Sequence, residues 1–175
     1  MISIVVVLWM FIILFAIIGA MRGWAKEILV TASVIVVLAL LLLLEKTLGT
    51  RELIQGLNKT LHFWLRIIIL LLLVIFGYQT PHLQRLAPKM TREKMEHIIL
   101  GTLIGAVNGY LIFGSILFYM ADAGYPFTKV MAAPTGDIAK TIETMLIYMP
   151  PRLLGDPGIY YAVVIAFIFV IVVLI

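Results

Sequence analysis

Few side chains in this 175-residue chain are equipped for chemistry, and most of them stand apart. Arg22, Lys26 and Glu27 lie within six positions, flanked by glycines at 19 and 23. Asn108 sits alone in a long apolar run, and the three histidines, His62, His82 and His97, are dispersed. Nucleophilic catalysis needs a Ser, Cys or Thr held against a base and an orienting third group, and no such set is present. No metal-ligand spacing or phosphate loop appears either. With no cysteine there is no disulfide framework, thiolate metal site or cysteine nucleophile. The expectation is a protein that is not an enzyme. Arg22 and Glu27 can instead form an ion pair across a tight turn. Asn108 needs a hydrogen-bond partner from another helix or a bound molecule, because an unpaired amide in an apolar setting is costly.

The elements that position these residues are apolar stretches at about 2–20, 28–44, 61–78, 98–121 and 159–175. Only the third carries a full charge, Arg66 near its start. At 1.5 Å per residue each reaches roughly 25–36 Å, close to the thickness of a bilayer's hydrocarbon core. The chain is 63% hydrophobic and only 13% charged, about half the charge of an ordinary soluble domain. Residues 36–44 are apolar on every side, so that stretch must face lipid or another membrane helix. The fold class expected is all-α: a polytopic integral membrane protein with about five transmembrane helices and two short interfacial amphipathic helices. Three regions follow: a four-helix portion at 1–121, a connecting segment at 122–158 and a C-terminal span at 159–175.

Orientation comes from the basic residues. Arg22 and Lys26 follow the first span and no basic stretch precedes it, which suits a signal anchor with its N-terminus outside. The turn at 21–27 and the connection at 79–97, with Arg85, Lys89, Arg92 and Lys94, are then cytoplasmic, as is the C-terminus. The short turn predicts a tight hairpin of spans one and two. Residues 50–61 read as the first amphipathic helix, with Leu53, Ile54, Leu57 and Leu61 on one stripe. Trp64 and Arg66 then anchor span three, the guanidinium snorkelling to water. Thr91 is a helix cap leading into span four. The second amphipathic helix is capped by Thr135 or Asp137 and stopped by Pro150-Pro151. It places Ile138, Ile142, Met145, Leu146 and Met149 on one side, and belongs in the interface or over the ends of the spans.

Two glycine patterns stand out. Gly19 and Gly23, four apart, let a neighbouring backbone approach the end of span one. Gly101, Gly105 and Gly109 form a ridge along span four, with Asn108 beside it. In lipid such ridges mark where helices touch, so Gly105→Leu is expected to disrupt assembly while leaving insertion intact. The string Gly19-x-x-Arg22-Gly23-x-x-x-Glu27, followed by Leu100-Gly101-x-x-x-Gly105-Ala106-x-x-Gly109, resembles the colicin V production protein family of bacterial inner-membrane proteins. The resemblance covers roughly residues 1–121. Where that family commonly has a basic residue just before the last glycine, this chain has Asn108. The segment 122–175 lies outside the family's usual four spans. The resemblance implies a small polytopic protein acting in envelope or secretion-related processes, without a defined catalytic activity.

The function expected is therefore a structural or accessory membrane protein that assembles with itself or with other membrane subunits, surrounded by lipid and binding no nucleic acid. An alternative is an accessory subunit of a larger photosynthetic or respiratory complex, holding lipid, quinone or pigment. In that case His62 or His97, at the starts of spans three and four, is the candidate ligand for a chlorin. Otherwise no cofactor is expected. A small channel or transporter is a second alternative, disfavoured by the absence of ionisable residues in the middle of the spans.

Overall fold

The computed structural model describes residues 4–47, 56–79, 94–126 and 134–174. Among these, every regular element is a helix: α1 (Ile4–Arg22), α2 (Trp24–Lys46), α3 (Lys59–Tyr78), α4 (Lys94–Asp122), α5 (Asp137–Leu146), α6 (Pro150–Leu153) and α7 (Gly158–Leu174). Helices α1 to α4 are long and apolar enough to cross a membrane. The fifth span expected from sequence is present as α7, but its 17 residues reach only about 25 Å. The chain is an all-α polytopic membrane protein with four long apolar helices and a shorter fifth.

Helix α2 is central. Its Val30, Val34, Val37, Leu38 and Leu41 are buried, and α3, α4 and α7 pack around it. Its apolar character on every side fits this position, since its faces meet other helices except where Leu40 and Leu43 stay exposed, a face suited to lipid. Gly23 reverses the chain between α1 and α2 in one residue, at φ +83°, a conformation open to glycine but strained for other residues. The two helices do not form the close hairpin the short turn suggests. They splay apart, and α1 lies along α4 instead. The cause is the glycine ridge: without side chains at 101, 105 and 109, α4 accepts α1 at near-backbone distance.

The connections between the long helices differ from expectation in two places. Gly56, Leu57 and Asn58 are not helical; Asn58 caps α3, its side chain accepting from the Thr60 N–H at 3.3 Å. Residues 50–55, the cap proposed at Thr91 and His82 lie outside the described residues. At the second amphipathic helix, Gly136 occupies the cap position rather than Thr135 or Asp137. This helix, α5, covers the ends of α1 and α4, one of the two placements expected for it. Its Ile142 is buried with Ile4 and Leu8 of α1 and Leu117 of α4. The following Met149 and Pro150 seat against Gly114. Gly114 is eight residues before the end of α4, so about 12 Å inside it. The Tyr110 hydroxyl donates to the Tyr148 carbonyl, a further tie between α4 and the end of α5. Helices α5 and α6 thus pack on α1 and α4. The chain returns to the end of α2, where Lys46 pairs with Asp156 before α7 begins.

Candidate functional site

A buried polar node forms near the turn between α1 and α2. Glu27, in the first turn of α2, is fully buried, as is Asn108 on α4. The two lie on helices that run in the same direction from this end, which brings the carboxylate and the amide together. The Asn108 Nδ2 group donates to Glu27 Oε2 at 2.8 Å and to the Glu27 carbonyl at 3.0 Å. Arg22, from the last turn of α1, donates to Glu27 Oε1 at 2.8 Å and to the Tyr78 carbonyl at 3.1 Å. Its guanidinium also lies over the Tyr78 ring, 4.2 Å from the centroid. The Tyr78 hydroxyl is 3.4 Å from Glu27 Oε2, a long contact. The Thr31 hydroxyl donates to Asn108 Oδ1 at 2.6 Å, with the Glu27 carbonyl at 3.0 Å as its alternative acceptor.

Four helices therefore meet in one hydrogen-bonded cluster. Electrostatics explains why each part is needed. A lone buried carboxylate is costly in a medium of low polarity. Arg22 supplies the opposite charge, Asn108 a second donor, and the N-terminus of α2 a favourable dipole. The ion pair anticipated between Arg22 and Glu27 is present, but its setting differs from the interfacial turn expected. Glu27 is enclosed because α4 and the end of α3 cover it; Arg22 retains 21% side-chain exposure and carries the cluster's charge toward the surface. Lys26 is exposed at the surface of the same turn.

The glycines stack above this cluster. A Cβ on Gly19 would lie 2.1 Å from the Gly101 carbonyl oxygen and 2.8 Å from the Gly105 Cα. One on Gly105 would lie 2.3 Å from the Phe15 carbonyl oxygen. Gly101 and Gly109 make similar approaches to Gly19 and to Ile12 and Phe15. The two glycine patterns thus meet each other within one chain. Gly23 abuts the His97 ring, with a Cβ at that position only 1.8 Å from His97 Nε2. His97 Nδ1 is buried without a hydrogen-bond partner.

A second polar cluster lies at the opposite end. Arg66 on α3 does not snorkel outward as its position in the sequence suggests. It is 8% exposed and turns inward, its Nε donating to Glu45 Oε1 at 2.8 Å and its NH1 group to Asp122 Oδ2 at 2.6 Å. Its guanidinium sits 4.8 Å from the Tyr119 ring centroid. His62 Nε2 lies 3.6 Å from Glu45 Oε1. A cavity of about 100 Å³ beside Arg66 is lined by Glu45, Tyr119 and, from α6 and the residue after it, Pro151 and Leu154. Reading the sequence alone misses this cluster, although Glu45 and Asp122, acids closing α2 and α4, are its signal. His62 and His97 stand at opposite ends of the helix assembly.

No family model, curated protein or solved structure matches this chain.

Proposed function

We propose that this protein is a non-catalytic structural or accessory component of a bacterial inner membrane, acting in envelope or secretion-related processes as its resemblance to the colicin V production protein family implies. The observation that carries the reading is the Glu27 node. Both carboxylate oxygens are engaged by groups of the same chain, which suits a clamp rather than a substrate site. The glycine surfaces are occupied internally, so partners bind through the lipid-facing sides of α1, α3 and α7. An accessory role in an energy-converting complex is a version of the same reading, in which lipid, quinone or pigment is held against those sides. Tagged protein extracted in mild detergent and analysed by mass spectrometry tests it. Co-elution with other membrane proteins at fixed ratio is expected; a peak of this chain alone would count against it.

A transporter is favoured by one observation, the cavity beside the buried Arg66 and its partner Glu45. Ionisable residues facing a cavity within a helix assembly are a usual mark of ion pathways. On this reading, purified protein in vesicles carries an ion flux that Glu45→Gln removes. Vesicles as tight as protein-free controls would exclude it.

A further inference from the structure

We propose that the trough between α2, α4 and α7 is a binding site for one acyl chain of an anionic phospholipid from the leaflet at the Gly23 end. Helix α7 packs on α2 rather than on α4, and the wedge between them holds a cavity of about 400 Å³. Its walls include Ile28, Ala32 and Ile35 of α2, Ile104 and Val107 of α4, and Ala166 of α7. The two alanines leave the room. The one hydroxyl of the lining, Thr31, is turned to Asn108 and the Glu27 carbonyl, so no polar group asks for a partner inside the trough. Val107, Ile165 and Phe169 at its rim are about half exposed, so it opens sideways between spanning helices.

Position and charge identify the occupant. From Ile28 to Ile35 the trough runs about 10 Å along α2, starting one residue below Glu27. That is most of one leaflet's hydrocarbon depth of about 15 Å. A helix 10–12 Å across would need about twice the available volume over this length, whereas a hydrocarbon chain is thin enough. By sequence, the segments that join the helices at the end where the trough begins are the more basic ones. The α1–α2 turn and the connection from α3 through the start of α4 carry Arg22, Lys26, Arg85, Lys89, Arg92 and Lys94 against Glu27, Glu93 and Glu96. That is a net +3 of the chain's +4. Anionic headgroups are attracted to such a surface.

The test uses the full chain in vesicles of equal phosphatidylglycerol and phosphatidylcholine, re-extracted in mild detergent for native mass spectrometry. Bound phosphatidylglycerol in excess of phosphatidylcholine is expected. Lys26→Gln should lower that preference about fivefold, the effect of one basic residue near the surface. Ala166→Phe and Val107→Phe fill the trough from different helices and should release the lipid from protein that still unfolds cooperatively. Equal retention of the two lipids would overturn the proposal, as would undiminished retention in either folded filling variant. So would a second copy of the chain, lost on filling, in place of the lipid. If neither filling variant folds, an unchanged preference in Lys26→Gln is itself sufficient to reject it.

Discussion

Arg22 is the residue on which the buried node depends most. Removing it leaves Glu27 charged, fully buried and held only by Asn108 and a long Tyr78 contact. Arg22→Ala should therefore destabilise the protein by about 3–5 kcal/mol, as for other buried pairs broken from one side. Glu27→Gln leaves Arg22, already part-exposed, to reach water, and should cost less. Thermal unfolding in detergent compares the two; Arg22→Ala as mild as Glu27→Gln would mean that the carboxylate is not sealed. The ion pair was legible from the five-residue spacing across a turn. The burial of Glu27 was not, because it depends on α4 and the end of α3 covering that turn. Asn108 announced itself as a polar residue at depth, yet its partner lies 81 positions away.

Among the elements, α1 and α4 show the clearest passage from sequence to packing. The residues of the ridge were visible, but a ridge says only that something approaches. That the approaching backbone belongs to α1 follows from the close meeting of Gly19 with Gly101 and Gly105. The expectation that Gly105→Leu breaks contacts between chains is replaced by one within the chain. A side chain at 105 meets backbone atoms that cannot rotate away. Gly105→Leu should pry α1 from α4, and Gly105→Ala, the smallest addition, should already cost about 1–3 kcal/mol as an overpacked core does. Unfolding midpoints measure this, and Gly105→Ala at wild-type stability would refute so close an approach. The placement of α5 and α6 was the least legible. The stripe of Ile142, Met145 and Met149 fits a helix in the interface or one covering the span ends. The seat at Gly114 is what shows that this segment packs on α4.

For the whole molecule, the apolar runs specified the architecture because hydrocarbon thickness leaves few alternatives to spanning helices. Orientation depends on the weaker signal of basic residues, which in the sequence are most frequent in the turn at 21–27 and the connection at 79–97. The bias of cytoplasmic segments toward Lys and Arg leads us to propose that the Gly23 end faces the cytoplasm. Met21, 82% exposed beside the turn, reports on it. A Met21→Cys protein in whole cells should resist a membrane-impermeant maleimide and react after lysis; labelling of intact cells would invert the assignment. On the proposed function the Glu27 node is a clamp and not a site. The most direct test is the double variant Arg22→Met, Glu27→Gln, which removes both charges together and leaves an amide oxygen at position 27 able to accept from Asn108. Neutral replacement of a buried pair is often close to neutral for stability. The expected result is a folded protein that retains its co-eluting membrane proteins at the wild-type ratio. A well-folded double variant that has lost them would contradict it, because the charges themselves would then be functional.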